Sequence, residues 1–273
     1  MERTILVTGA GGGIGQVVAQ RLLARGDQVI ASARRLDQMV ELAATGARTI
    51  AMDVGDDASV ERAFDELLAV DAVVHCAAIA PLGTVEFTST DAVARVFNVN
   101  TLGALRVLQS SLPLIRQAQS GRMLLLSSLW GQVSGPFVSA YAASKHAIEA
   151  LADSARRETR TQGVHISVIE PGVVRTPMYF NQLAELDKAV EALGPEEQRL
   201  YGRLYAEHRK LVASAAKTAI DAGQCAAVIE KCLDARRPLP RYRAGTDAKA
   251  MVAMRRGLTD RGLDRVFGLM YKG

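Results

Sequence analysis

The sequence predicts an α/β protein whose open, doubly wound sheet has about seven parallel strands with helices on both faces. Short apolar runs alternate with amphipathic stretches through roughly the first 170 residues, which is the pattern of βαβ units. A glycine-rich turn joins the first apolar run to the first amphipathic stretch. With 273 residues, 49% of them hydrophobic and 23% charged, the chain can bury a substantial core.

Each apolar run is short enough for a buried strand, and each stretch between two runs carries apolar residues at helical spacing. The predicted strands are residues 4–8, 28–32, 48–52, 72–75, 123–126, 165–169 and 241–244. The predicted helices are residues 14–25, 36–44, 58–68, 90–117, 140–161 and 223–235.

The alternation stops after Pro171. Residues 178–220 are rich in helix formers and charge, interrupted by a turn at Gly194, and we expect a helical insertion that is either a substrate lid or a subunit contact. No repeat or low-complexity linker divides the chain. The sequence therefore predicts one domain, residues 1–273, in which residues 236–273 are a basic C-terminal extension with helical character.

Charge and composition exclude several functions. The net charge is +4, and residues 236–273 hold ten Lys and Arg against three Asp. This segment lacks interleaved aromatic residues or a known nucleic-acid module, so we expect no nucleic-acid partner; it is solvated or faces a subunit, with weak membrane-surface contact as the alternative. Three widely spaced cysteines and four scattered histidines indicate neither disulfides nor a metal site. No apolar stretch could span a bilayer and no signal peptide is evident, so we expect a cytoplasmic protein.

The glycine-rich turn predicts a dinucleotide site. It lies between the first strand and the first helix, where glycines let the backbone approach a pyrophosphate placed on the helix N-terminus. The residues of this loop are Thr8, Gly9, Gly11, Gly12, Gly13, Ile14 and Gly15.

The end of the second strand indicates which dinucleotide binds. An acidic residue there would accept the ribose hydroxyls of NAD, but the chain has Ala33 followed by Arg34 and Arg35. Guanidinium groups suit a 2′-phosphate. We therefore expect NADP(H), with NAD(H) as the alternative.

Tyr141 and Lys145 are the residues most suited to proton transfer. On the predicted helix they lie one turn apart on the same face, and an ammonium beside a phenol is expected to lower the pKa of the phenol. A phenol so placed can give or take a proton at a carbonyl or carbinol oxygen.

Taken together, the motifs between Thr4 and Thr176 resemble those of the classical short-chain dehydrogenase/reductase family, which implies a Rossmann-type fold. Ser128 precedes Tyr141 by thirteen residues, as the family's catalytic serine does, and Asn100 matches its catalytic asparagine. The resemblance implies a catalytic set of Asn100, Ser128, Tyr141 and Lys145. It further implies cofactor contacts at Asp53, Val54, Cys76, Ala77, Ala78, Asn100, Tyr141, Lys145, Pro171, Gly172, Val174 and Thr176.

Two positions depart from the family pattern. His75-Cys76-Ala77-Ala78 stands where the family usually has Asn-Asn-Ala-Gly, so a residue with a side chain replaces the last glycine. Gly12 occupies a place where many NADP-dependent members carry Arg or Lys. The first departure bears on cofactor contacts after the fourth strand, and the second on the preference for NADP.

The resemblance implies an oxidoreductase that interconverts a secondary alcohol and a carbonyl, with Tyr141 as acid or base, Lys145 lowering its pKa, Ser128 bonding the reacting oxygen and Asn100 holding a water. A homodimer or homotetramer is also implied.

Apolar residues near the site favour a lipophilic, steroid- or retinoid-like alcohol or ketone. The alternatives are a non-catalytic NADP(H)-binding redox regulator and, third, an epimerase or dehydratase. The expected substrate-facing residues are Trp130, Phe137, Met178 and Tyr179, with Leu129 and Phe180 nearby.

Overall fold

The computed structural model describes residues 3–271, and these residues form a seven-stranded parallel sheet and a small two-stranded one. The order of the large sheet is β3-β2-β1-β4-β5-β6-β9. The strands are β1 (Thr4–Thr8), β2 (Gln28–Ala33), β3 (Arg48–Ala51), β4 (Ala72–His75), β5 (Gly121–Leu126), β6 (Val164–Pro171), β7 (Val174–Arg175), β8 (Ile220–Asp221) and β9 (Arg241–Ala244).

Helices connect successive strands, as parallel pairing requires. Those of the first half are α1 (Gly13–Ala24), α2 (Val40–Ala44), α3 (Asp57–Asp65), α4 (Thr90–Phe97), α5 (Gly103–Ile115) and α6 (Ser139–Glu158). Those of the second half are α7 (Pro177–Glu191), α8 (Pro195–Ala215), α9 (Ala222–Asp234), α10 (Thr246–Gly257) and α11 (Asp260–Met270).

Alternate residues of the central strands enter two different cores. On β1, Leu6 packs with apolar residues of α3, α5 and α6, whereas Ile5 and Val7 pack with those of α1, α2 and α9. Successive side chains of a strand point to opposite faces, so a strand covered on both sides must be apolar throughout. The predicted doubly wound fold with helices on both faces is confirmed.

The strand order reverses between β1 and β4. From β1 the sheet continues to β2 and β3 on one side, and from β4 it continues to β5 and β6 on the other. At such a switch point the connections separate and leave a crevice beyond the carboxyl ends of the strands. Thr8 ends β1 and His75 ends β4, and the two residues are register partners. The crevice therefore opens directly above the residues that carry the glycine-rich loop and the segment after β4.

The structure departs from the predicted elements in three places. The expected helix over residues 36–44 is a 3₁₀ turn, Leu36–Met39, followed by the short α2. The expected continuous helix over residues 90–117 is α4 and α5 joined by a π-helical turn, Asn98–Leu102, and it ends at Ile115. The small sheet of β7 and β8 was not expected, because each strand has only two residues and no periodicity to detect. It ties the segment after Pro171 to the start of α9.

Residues 178–220 are helical, as expected, and α7 and α8 form a helical hairpin. α8 is attached to the loop before α4, because Thr84 Oγ1 lies 3.1 Å from Glu197 Oε1 and the Tyr201 hydroxyl donates to Glu86 Oε2 at 2.7 Å. The C-terminal extension is also helical, as α10 and α11. Among residues 3–271, no helix combines the length and the apolar character needed to cross a membrane.

The central position of β5 leads to a stability prediction. Leu124 is fully buried between β4 and β6, so Leu124→Ala should lower the free energy of unfolding by about 2–5 kcal/mol through lost burial and a residual cavity. Leu68→Ala is the matched control, since Leu68 is 90% exposed. Urea denaturation of the three proteins measures the difference. Equal losses for the two variants would contradict the assignment of β5 to the core.

Candidate active site

The glycine-rich loop packs against the segment after β4 so closely that side chains are excluded. A Cβ on Gly9, whose φ is +67°, would lie 2.7 Å from the Ala77 backbone nitrogen. A Cβ on Gly15 would lie 2.4 Å from the Gly9 carbonyl oxygen. These two glycines are required by backbone packing, and they hold the loop at the mouth of the crevice.

The other side of the loop is open. Gly12 precedes α1 in extended backbone, and a Cβ there would meet nothing within 4 Å among the described residues. The N-terminus of α1 has neither a side-chain cap nor an acidic residue in its first turn, so its N–H groups are available to an anion. A Cβ on Gly13 would lie 3.6 Å from Thr176 Cβ, which brings the loop opposite the segment after β6. The cradle fits a pyrophosphate.

Arg34 and Arg35, both exposed, differ in their contacts. Arg35 Nη2 pairs with Asp37 Oδ2 at 2.9 Å, whereas Arg34 has no ion-pair or hydrogen-bond partner within residues 3–271. A Cβ on Gly11 would lie 3.0 Å from Ala33 Cβ and 2.9 Å from Gln38 Cβ, so the end of β2 borders the glycine-rich loop. The proximity of Gln38 to this loop was not predicted, because nothing in the sequence distinguishes Gln38 except its position after β2.

The segment after β3 is held by local hydrogen bonds. Asp53 Oδ1 accepts from the Gly55 N–H at 2.9 Å, and the Asp53 N–H donates to Ser59 Oγ at 3.0 Å. Val54 is buried against Gly103, where a Cβ would lie 2.9 Å from Val54 Cγ2. The Asp53 carboxylate thus retains one oxygen without a hydrogen bond to the described chain, at the carboxyl end of the sheet.

The departures after β4 produce no backbone strain. Ala78 does not have a positive φ, so this place does not need the glycine that the family pattern usually has. His75 is buried and its Nδ1 lies 2.9 Å from Thr8 Oγ1, and burial lowers its pKa to about 3, so the ring is neutral. The Cys76 N–H lies 3.3 Å from Thr8 Oγ1, and burial raises the pKa of the Cys76 thiol.

Asn100 lies in the π-helical turn and joins three elements. Its Oδ1 accepts from the Ile79 N–H at 2.9 Å, and its Nδ2 donates to the Ile79 carbonyl at 2.9 Å and to Ser144 Oγ at 3.0 Å. The side chain is fully buried. Asn100 therefore fixes the segment after β4 to α6, the helix that carries Tyr141 and Lys145; its expected role of holding a water stays a prediction.

α6 presents Tyr141 and Lys145 to the end of β5. Lys145 is 2% exposed and its Nζ donates to the Leu126 carbonyl at 2.7 Å. The Ser128 hydroxyl, two residues further along, is near enough to the Tyr141 phenol to act on its pKa. The Lys145 Nζ lies 5.5 Å from the centroid of the Tyr141 ring. The structure thus brings together three of the four residues of the expected catalytic set, with Asn100 behind them.

The expected lowering of the Tyr141 pKa is wrong for this structure. Burial raises the pKa of Tyr141 to about 12, and the neighbouring Ser128 hydroxyl acts in the opposite direction. Lys145 does not offset this effect of burial: its Nζ lies 5.5 Å from the centroid of the ring and donates to the Leu126 carbonyl. Burial also lowers the pKa of Lys145 to about 8, against the raising effects of Cys76 and Glu149.

The segment from Pro171 to Thr176 is fixed by a residue that sequence reasoning missed. Asp247, in the first turn of α10, accepts a hydrogen bond from the Val173 N–H at 2.6 Å through Oδ2. A Cβ on Gly172 would lie 2.0 Å from Asp247 Oδ1, so this glycine makes room for the carboxylate. Val174 belongs to β7, and Thr176 occupies the N-cap position of α7 without a side-chain hydrogen bond to that helix. In the sequence Asp247 is only an acidic residue in the first turn of a predicted helix, and that feature does not predict a contact with Val173.

The residues expected to face a substrate lie in different surroundings. Phe137 is buried, with its ring centroid 4.5 Å from those of Tyr205 and His208 on α8. Trp130 packs against apolar residues of α10 and α11. The Tyr179 hydroxyl donates to the Val212 carbonyl and so joins α7 to α8.

Of the remaining apolar residues near the site, Leu129 is buried, whereas Met178 and Phe180 are exposed on α7. Phe137 is thus the one member of the expected substrate-facing set that the α7–α8 hairpin covers through ring contacts, within the part of the chain described. A cavity of about 60 Å³ lies next to it, lined also by Leu82 and Ala140.

Comparison with known proteins gives consistent results. The chain is 33% identical over 210 residues to the uncharacterized oxidoreductase YbbO of Escherichia coli, covering 72% of this chain and 78% of that protein. It is 31% identical over 264 residues to human retinol dehydrogenase 5, covering 90% and 82%.

Solved structures share the fold. A short-chain dehydrogenase from Streptomyces avermitilis superposes with a TM-score of 0.80 at 28% identity, covering 98% of this chain and 94% of that one. Two further ones share the fold at TM-scores of 0.77: one from Burkholderia cenocepacia in complex with NADP (18% identity; 97% and 96% covered) and one from Burkholderia phymatum in complex with NAD (22%; 96% and 95%).

The sequence profile described as short chain dehydrogenase matches residues 3–187, which contain the glycine-rich loop, α6 and the segment after β6. The expected family is confirmed by this match, by the relatives and by the shared fold. The chain belongs to the short-chain dehydrogenase family and is an oxidoreductase with a nucleotide-binding Rossmann fold.

Proposed function

We propose that this protein is an NADP(H)-dependent oxidoreductase that interconverts a secondary alcohol and a carbonyl on a lipophilic substrate. The observation that carries the proposal is the row formed by Ser128, Tyr141 and Lys145 at the end of β5, where the Lys145 ammonium lies 5.5 Å from the centroid of the Tyr141 ring and donates to the Leu126 carbonyl. The row lies at the carboxyl edge of the sheet, as does the glycine-rich loop. The proposed proton donor and the proposed cofactor-binding loop therefore lie at the same edge of the sheet.

In this proposal Tyr141 is the proton donor of carbonyl reduction. With a pKa raised to about 12, the phenol is protonated at neutral pH and has a proton to give. Ser128 donates a hydrogen bond to the reacting oxygen as negative charge develops there. The nicotinamide cofactor, when bound, supplies or accepts the hydride.

Lys145 keeps a positive charge beside the ring at neutral pH, because its pKa of about 8 is still above 7. That charge favours the phenolate that Tyr141 becomes after it gives up its proton. Asn100, through Ile79 and Ser144, holds α6 in the position from which both side chains reach the end of β5. Each residue of the set then has a chemical or a positioning role.

Removing the Tyr141 hydroxyl tests the mechanism. Tyr141→Phe should lower kcat for carbonyl reduction by at least about 100-fold, since the proton donor is lost. NADPH affinity, followed by the change in NADPH fluorescence, should change little. Retained turnover in the variant would contradict the role of Tyr141. Tight NADPH binding without turnover of a carbonyl panel by the wild-type protein would instead support the non-catalytic redox regulator.

The preference for NADP rests on the end of β2. Arg34 is exposed and has no partner within residues 3–271, so its guanidinium is available to a 2′-phosphate. Arg35 is already paired with Asp37. Ala33 leaves no carboxylate in this place to accept ribose hydroxyls or to repel a phosphate. Similar folds hold NADP in one solved structure and NAD in another, so the residues of this chain must decide.

Two neighbouring substitutions separate these roles. Arg34→Ala should lower the ratio of kcat/KM for NADPH to that for NADH by roughly 10-fold or more, since a charge-assisted pair to phosphate is lost. Arg35→Ala is the matched control and should change this ratio by less, because its guanidinium is held by Asp37. An unaltered ratio in Arg34→Ala would remove the basis for the NADP assignment.

A lipophilic substrate is supported by the similarity to retinol dehydrogenase 5 over 90% of the chain and by the apolar side chains of Phe137, Met178 and Phe180, which flank the site in the sequence. The hairpin of α7 and α8 lies over Phe137, and the cavity of about 60 Å³ beside it is far smaller than the roughly 300–1,000 Å³ of ligand pockets. We therefore infer that the hairpin is a lid that must move for a large substrate to enter.

The buried ammonium gives a pH prediction. The pKa of Lys145 is lowered from 10.5 to about 8 by burial, so between these values the unfolded chain binds more protons and folding becomes more favourable as pH rises. Wild type should therefore gain about 1–2 kcal/mol of stability relative to Lys145→Met between pH 7 and pH 9.5. Chemical denaturation of both proteins at the two pH values measures this. A difference that does not change with pH would contradict the lowered pKa.

A further inference from the structure

Glu149 extends the row that Tyr141 and Lys145 begin on α6. The three residues follow one another at intervals of four and so lie on one helix face. Lys145 donates to the carbonyl of Leu126, while the hydroxyls of Ser127 and Ser128 act to lower the pKa of Glu149 and of Tyr141, respectively. The three side chains thus face three consecutive residues at the end of β5. This match between helix and strand end makes Glu149 part of the same structure as the site, although it is too far along the helix to reach a substrate held at Tyr141.

The Glu149 carboxylate is enclosed by the protein. Its side chain is 7% exposed, and Arg241 Nε on β9 donates to Glu149 Oε2 at 2.9 Å. A Cβ on Gly131 would lie 3.2 Å from Glu149 Oε1 and 2.4 Å from Ser127 Oγ, so a glycine is needed for the carboxylate and the hydroxyl to fit. The turn that follows Ser128 is therefore built around Glu149.

Arg241 carries the connection from α6 to β6. Its Nη1 lies 3.2 Å from Asp153 Oδ1, one turn further along α6, and its Nε lies 3.3 Å from Glu170 Oε1. Glu170 is fully buried. Its Oε1 accepts a hydrogen bond from Gln132 Nε2 at 3.0 Å, and its Oε2 lies 2.8 Å from Arg243 Nε. Because Glu170 immediately precedes Pro171, the network ends at the segment that faces Gly13.

Such a network is a poor way to gain stability. The Glu149 and Glu170 carboxylates have been removed from water, and their partners Arg241 and Arg243 are only 23% and 25% exposed. The desolvation of a buried ion pair offsets most of its attraction. Burial raises the pKa of Glu149 and of Glu170. Apolar side chains of the same volume would serve the core at least as well, so a role in geometry explains these residues better than a role in stability.

Building on the proposed function, we propose that Glu149 is a positioning residue: through Arg241 and Glu170 it fixes α6 relative to the segment 171–176, and by packing against Gly131 it sets the turn that follows Ser128. It does not touch a substrate or cofactor itself. The charged and polar groups that face its carboxylate are Lys145 and Asp153 on α6, Ser127 directly after β5, Gln132 in the turn that follows, Glu170 on β6 and Arg241 on β9.

Glu149→Gln tests the proposal, because it keeps the shape of the side chain and removes the charge that Arg241 binds. We expect kcat to fall about 10-fold or more through misplacement of the proton donor, with KM and the NADPH dissociation constant within 2-fold. Glu230→Gln is the matched control, since Glu230 pairs with Arg21 between α9 and α1, away from α6. An unchanged kcat in Glu149→Gln, or an equal loss in the control, would overturn the proposal.

Arg241 offers a second route should Glu149→Gln fold poorly. Arg241→Met should lower kcat in the same way as Glu149→Gln. Arg241→Lys, which retains a cation facing Glu149, should recover much of that loss while leaving KM unchanged. If Met and Lys at this position gave the same kcat, the charge of Arg241 would have no positioning role and the proposal would fail.

A spectroscopic arm separates this proposal from the proposed function. Protein labelled with 3-fluorotyrosine gives a ¹⁹F signal for Tyr141, assigned by its loss in Tyr141→Phe. Glu149→Gln should shift that signal in the NADPH complex and Glu230→Gln should not; an unshifted signal would overturn the positioning role. If the wild-type protein reduced no carbonyl, the proposed function would fall, while the ¹⁹F result would still decide whether Glu149 positions Tyr141.

Discussion

The hydrogen bond from the Lys145 ammonium to the Leu126 carbonyl is the interaction on which the rest of the site depends. Removing an ammonium from water costs free energy, and this desolvation lowers the pKa of Lys145. The charge is tolerated because the last carbonyl of β5 accepts from it and Glu149 lies one turn further along α6. Since strand end and helix face must meet for this bond to form, placing Lys145 also places Tyr141 beside Ser128.

The parallel sheet explains why residues far apart in the sequence meet at one edge. β1, β4, β5 and β6 all end on the same side, so the glycine-rich loop, the segment after His75, the Ser127–Ser128 turn and the segment after Glu170 are neighbours. Backbone contacts then set their spacing. Where Gly9 approaches Ala77 and Gly172 approaches Asp247, even a methyl group would force the segments apart.

The strands of the parallel sheet, the glycine-rich loop and the pairing of Tyr141 with Lys145 could be predicted because they depend on local periodicity and short spacings. The direction of the Tyr141 pKa could not, since it depends on burial by elements that lie elsewhere in the chain. Arg241 contacts Glu149 across 92 residues, and Asp247 contacts Val173 across 74. Tyr179, an aromatic residue close to the site in sequence, proved to join α7 to α8 because its hydroxyl found a carbonyl there.

Phe137 has a φ of +67°, a conformation that side-chain-bearing residues adopt only when their surroundings compensate for it, at about 1–3 kcal/mol. Its compensation comes from two sides: the Gly83 N–H donates to its carbonyl at 3.0 Å, and Tyr205 and His208 flank its ring. Withdrawal of α8 would remove the second support and leave the backbone free to relax. The position of the hairpin is therefore coupled to the backbone conformation of the loop before α6. A molecule that enters between them must replace the lost ring contacts, or the Phe137 backbone must change its conformation.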